Sequence, residues 1–152
     1  MNTQIRNIGD LVKVQRAVAN TAATAGGSGD NSAATGVIID RAAFGYPASA
    51  VLAVPYTATL AEDETLTLTY TVQEGDASNL SDAATLKTAS VVVATGDTGG
   101  STETGCLEVD FKSIAGGRYN RVNITPDLSA SGTDTAAISA VVVYGGMDRL
   151  PQ

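Results

Sequence analysis

The chain has 152 residues, a net charge of −7 and no histidine, which suits one domain with its own core and excludes Ser-His-Asp and Cys-His nucleophiles and His-containing metal sites. Its single cysteine, Cys106, makes neither an internal disulfide nor a zinc cluster. Excess acid argues against a nucleic-acid partner, and no segment approaches about 18 uninterrupted apolar residues, which argues against a membrane partner.

The expectation is a soluble protein, made and kept in a reducing cell or in something assembled there, since MNTQIRNIGDLVKV contains no apolar h-region. Ala, Thr, Gly and Ser supply 70 of the 152 residues, and abundant Val and Thr with little Lys or Glu suit a pleated sheet. Residues 1–19 read as an N-terminal arm whose Ile8, Leu11, Val12, Val14 and Val18 suit either a strand or a helix. Such an arm folds back on the domain or docks on another subunit. Residues 20–36, NTAATAGGSGDNSAATG, hold no apolar side chain larger than Ala and read as a flexible loop or linker.

The domain proper is expected over 37–152. Strand candidates in order are Gly36–Ala42, Ser49–Thr59, Thr65–Gln73, Leu86–Thr95, 105–111, Tyr119–Thr125 and Ala136–Tyr144. Thr65–Gln73 is the clearest, with Leu66, Leu68, Tyr70 and Val72 on one face and threonines on the other. In 105–111, Leu107, Val109 and Phe111 point inward, and Cys106 falls outward with Glu108 and Asp110. Pro55 has no N–H, so an edge, bulge or break is expected there. A short helical turn with Ser81 as N-cap is possible over Leu80–Leu86. A short tail follows Gly145-Gly146. The fold class is all-β: an antiparallel β-sandwich or jelly-roll-like barrel of seven to eight strands with an N-terminal arm.

Charge is unevenly placed. Residues 62–110 hold ten carboxylates and only Lys87, a balance of −9, while each flank is +1. That band is either a solvated surface or complementary to a basic partner, including Arg118, Arg121 or Arg149 of a neighbouring copy.

No catalytic, metal or cofactor site emerges. Asp97-Thr98-Gly99 matches the tripeptide of retroviral-type aspartic proteases, which need no histidine. However, Thr95-Gly96 stands where that family is apolar, and a glycine hairpin tip explains the string. Glu62-Asp63-Glu64, or Asp97 with Glu103, offer oxygen ligands for calcium without a recognised spacing. A glycosidase lacks its aromatic platforms, since there is no Trp, and the Gly-rich segment has no phosphate-loop pattern. Cys106 has no base to activate it.

GVIIDR (36–41), AVLAVPYTATLAEDETLTLTYTVQEGDASNLSDA (50–83) and RYNRVNITPDLSASGTDTAAISAVVVYGGMDRLP (118–151) resemble small capsid-associated proteins of tailed double-stranded DNA bacteriophages, the head decoration, cement or auxiliary proteins. The resemblance implies a non-enzymatic structural virion protein on the outer capsid surface, assembled in the host cytoplasm. It would bind the major capsid protein and itself, as a homotrimer or other symmetric homo-oligomer. On that reading Arg6, Lys13 and Arg16 meet acidic capsid surface while Ile8, Leu11, Val12 and Val14 supply burial. Arg118, Arg121, Arg149 and Leu150 are further capsid or oligomer contacts. The alternative is another virion part: a head–tail connector, a tail-tube subunit or a receptor-binding sandwich.

Overall fold

Alternation in sequence becomes alternation in burial. Leu66, Leu68, Tyr70 and Val72 are buried, and the threonines between them are half-buried. The computed structural model, which describes residues 8–114 and 116–147, pairs such segments into two antiparallel sheets. The strands are β1 (Val12–Thr24), β2 (Ala34–Thr35), β3 (Ile39–Asp40), β4 (Ser49–Leu60), β5 (Thr65–Gly75), β6 (Ala84–Thr95), β7 (Ser101–Lys112), β8 (Tyr119–Leu128) and β9 (Thr135–Gly145). The first sheet runs β1-β9-β4-β7 and the second β2-β8-β5-β6, with β3 also on β8.

The pairing has a simple logic. β5 pairs β6, β4 pairs β7, β2 and β3 pair β8, and β1 pairs β9. The chain is one long hairpin bent between β5 and β6 and rolled so that alternate pairs fall in opposite sheets. This is the jelly-roll form of the β-sandwich. Leu52, Val54, Leu66, Leu68, Ile124 and Val142 meet between the sheets without solvent exposure. Each such side chain contributes about 1.5–3 kcal/mol by leaving water. Among the described residues no helix is long and apolar enough to cross a membrane.

In the N-terminal third one of the two open alternatives holds for the described part of the arm: residues 12–19 fold back on the domain as a strand, the start of β1 along β9, and residues 1–7 lie outside the described ones. The stretch 20–36, expected as a flexible linker, carries the end of β1, a tight loop and β2. Asp30 closes that loop, its carboxylate accepting from Gly26 N at 2.9 Å and Leu128 N at 2.9 Å. Asn31 N donates to Pro126 O. Gly29 has a φ of 82°, and a Cβ there would run into the Ala22 carbonyl. Small residues therefore serve close approach here rather than freedom.

Two smaller differences have local causes, while the break expected at Pro55 is present on one side of its strand. Of the expected strand 36–42 only Ile39–Asp40 pairs, as β3, and β2 precedes it, since Val37 N crosses to Ala17 O and Asp40 caps a 3₁₀ turn, Arg41–Phe44, through Ala42 N. Leu80–Leu86 forms no helical turn. Asp82 accepts from Asp76 N and Ala77 N, Leu80 is buried at a φ of 53°, and β6 starts at Ala84. β4 is an inner strand despite Pro55. Its pairing with β7 is unbroken, while that with β9 lapses between Ala53 and Tyr56.

One end of the sandwich is held by buried Arg41. Its Nη1 donates to Gly116 O at 2.8 Å and Gly117 O at 2.7 Å, and its Nη2 to Pro47 O at 3.0 Å. Ser113 Oγ also donates to Pro47 O. Burial lowers the Arg41 pKa and pushes the Tyr144 phenol well above its ordinary range. Arg41→Ala leaves three carbonyls without their charged donor, so urea unfolding should show a loss of about 3 kcal/mol or more. Arg41→Lys cannot reproduce the fork and should lose a large part of that.

Two carboxylates make stability depend on acid. Arg118 bonded to Asp40, and the Asp76 amide bonded to Asp82, hold both below the ordinary 3.8. Folding depresses these values, so the stabilisation is complete above the unfolded-state pKa and lost as pH falls through the folded one. Thermal melts should show the wild type losing more stability between about pH 5 and about pH 2.5 than the Asp40→Asn/Asp82→Asn variant, the exposed groups keeping the difference small.

Candidate assembly surfaces

The two outer faces of the sandwich differ in chemistry. On the β2-β8-β5-β6 sheet, polar side chains satisfy one another. Thr69 Oγ1 meets Ser90 Oγ at 2.6 Å, Thr71 Oγ1 meets Thr88 Oγ1 at 3.1 Å, and Gln73 Oε1 accepts from Arg121 and Asn123. The β1-β9-β4-β7 sheet presents a row Val14–Val143–Val51–Asp110 and, two residues along, Arg16–Val141–Ala53–Glu108. Valines and an alanine thus occupy the middle, with a cation at the β1 edge and carboxylates at the β7 edge. Val14 is 56% exposed. An open concavity of about 720 Å³ at this sheet's end is walled by Val12, Val51, Val143, Phe111, Tyr144 and Leu86 among others.

The ends of the sandwich differ as well. β1 begins, β9 finishes, β4 begins and β7 finishes at one end, where Val12, Gly145, Ser49 and Lys112 align. Beyond that row lie Ile8 (73% exposed), Leu11 (41%), Tyr46 (50%) and Ile114 (72%). Lys13 sits over the Phe44 ring and Arg118 pairs with Asp40 at 2.7 Å. All seven lysines and arginines among the described residues lie in the half nearer this end. The opposite end carries Asp30, Glu62, Asp63, Glu64, Asp97, Asp127 and Asp134 in or beside its loops.

The acidic loops are anchored by hydrogen bonds within the chain. Glu62 accepts from Gly99 N, Asp134 from Ala61 N, and Glu64 from Ser129 Oγ. Exposed Asp97 accepts from Thr98 N in the β6–β7 loop, which crosses from one sheet to the other and is therefore not the hairpin tip expected from sequence, and Gly99 and Gly100 there have φ near 80°. Among the described residues no group of three or more His, Cys, Asp or Glu could hold a metal ion. Cys106 is exposed on the outer face opposite Pro55.

The contact candidates separate accordingly. Ile8, Leu11 and Lys13 belong to the terminal end, whereas Val12, Val14 and Arg16 lie on the outer face of the β1 sheet. Arg118 and Arg121 are engaged within the chain by Asp40 and Gln73 on the other sheet. Arg6, Arg149 and Leu150 lie outside the described residues. Sequence reasoning missed Tyr46 as an exposed apolar side chain and missed Ile114, because neither falls on a periodic face. It also missed Arg41 as a buried clamp, since a lone Arg carries no burial signal.

No protein-family model and no curated relative matches the sequence. Solved structures match by shape. A chain of the infectious bursal disease virus Gx strain superposes with a TM-score of 0.54 at 14% identity, over 92% of this chain and 33% of that one. A chain of the infectious bursal disease virus VP2 subviral particle gives 0.45 at 15% identity, over 92% and 34%. The chain spans about a third of the length of these virus chains. At such identity the first likeness speaks for architecture alone. The chain has a viral capsid-like β-sandwich fold.

Proposed function

We propose that the protein is a structural virion component, a decoration or cement protein on the outer capsid surface of a tailed double-stranded DNA bacteriophage, with the major capsid protein and further copies of itself as partners. The observation that carries this reading is the gathering of exposed apolar side chains and cations, with both ends of the described chain, at one end of a capsid-like sandwich. Ile8, Leu11, Tyr46 and Ile114 supply burial there, and Lys13 and Lys112 meet acidic capsid surface, joined by Arg6, Arg149 and Leu150 from the adjoining sequence. The acidic opposite end faces solution and keeps decorated particles apart. A symmetric homo-oligomer, a homotrimer or another, lets modest contacts per copy add through multivalency.

The test is to mix the protein at micromolar concentration with undecorated expanded capsids and image them. Added density on the outer surface is expected, and binding should weaken as salt screens the cations. Leu11→Asp with Ile114→Asp should reduce occupancy at least about tenfold while leaving the fold unchanged by circular dichroism. Capsids that stay bare, or equal binding by this variant, would overturn the reading.

A further inference from the structure

We infer that two copies of this chain pair through the outer face of the β1-β9-β4-β7 sheet about a two-fold axis that runs along the strands. This rests on the self-association proposed above and names its surface and symmetry. The face is nearly free of charge. Apart from Lys112 at its very end, its outward positions carry Arg16 at the β1 edge and Glu108 and Asp110 at the β7 edge. Between these edges stand Val143, Val51, Val141 and Ala53, and further along Pro55 and Ala137. All three charged side chains are exposed, and none has an ion-pair partner among the described residues.

The charge order selects the axis. Rotation about a line parallel to the strands lays the β1 edge of one copy over the β7 edge of the other and leaves each row at its own height. Arg16 then faces the partner's Glu108, and the same contact repeats on the far side. The Val141–Ala53 and Val143–Val51 rows meet in the middle. A two-fold across the strands lays the β1 edge on the β1 edge, so Arg16 meets no β7 carboxylate at any height, and through its own row stacks Arg16 on Arg16 and Glu108 on Glu108, which like-charge repulsion disfavours. Lys112 faces Val12 of the partner at the end of the sheet, outside the charged rows. This is an isologous contact, in which one patch complements itself.

The area is adequate. Four strands about 4.8 Å apart, with about twelve residues each rising about 3.3 Å, present roughly 700 Å², close to the about 800 Å² per partner of a standard interface. Two sheets face to face pack about 10 Å apart, as within a sandwich. The other sheet offers no comparable face: Val92 is exposed there, but the neighbouring outward groups are polar and bond one another. The axis also leaves both terminal ends pointing the same way, so that a pair stands on one surface.

Sedimentation equilibrium of the whole chain at about 1–100 μM tests this. A dimer of twice the 15.3 kDa chain mass is expected. Val143→Glu should give monomers with an unchanged circular dichroism spectrum. Arg16→Glu or Glu108→Arg alone should weaken dimerisation about tenfold or more, and the double variant should recover most of the loss. A monomer throughout the range, a trimer, or a double variant no better than either single one would overturn the inference. Capsid binding by a monomer would overturn only the pairing, whereas a dimer that leaves capsids bare would overturn the proposed function and not the pairing.

Discussion

The pairing of β1 with β9 is the contact on which the rest depends. It joins residues from opposite ends of the chain, Val12 with Gly145 and Thr24 with Thr135, and closes the sheet that β4 and β7 extend. The ordering cost of that closure falls on contacts remote in sequence, so it is met by the burial it permits. Ala17, Val18 and Ala23 enter the core only because β1 lies there, and Val142 and Tyr144 are sealed by it. The same pairing brings both ends of the described chain to one end of the sandwich.

From that placement the surface divides along two axes. Along the strands, one end is apolar and mixes the cations with carboxylates such as Asp40, Glu74, Asp76 and Asp82, and the other is acidic without cations among the described residues. Across the sandwich, one outer face is bonded within itself and the other is left valine-rich between opposite charges. Neither polarity is visible as a run in sequence. Arg16 and Glu108 stand 92 positions apart and share a row only through β9 and β4.

Strands with one wet face were legible. Leu66 to Val72, Leu107 to Phe111 and Ala136 to Tyr144 announce themselves by period two, because only one side of each meets the core. The glycine loop around Asp97 was legible as a turn, because positive φ asks for glycine at Gly99 and Gly100, but not as a link between sheets, since β6 and β7 do not pair. Residues 12–36 were not legible. β1 shifts register twice, between Arg16 and Val18 and between Val18 and Thr21, which breaks its alternation. The following loop buries backbone rather than large side chains, so small residues read as looseness when they mark tight packing. Arg41 was hidden because its role depends on carbonyls some 75 residues away.

The long hairpin leaves both of its inner arms at a border. β6 and β7 each pair on one side only, and together they run down the same flank of the sandwich. Unsatisfied backbone groups in such a position invite a foreign strand to continue the sheet. β6 resists with two irregularities opposite β5, and β7 with Glu103, Glu108 and Asp110. Lys87 reaches across from β6 to occupy the Asp110 carbonyl, so the lone cation of the acidic stretch plugs one site of the open ladder. Wherever copies of the chain are crowded together, such guarding keeps neighbours from fusing edge to edge into a runaway polymer.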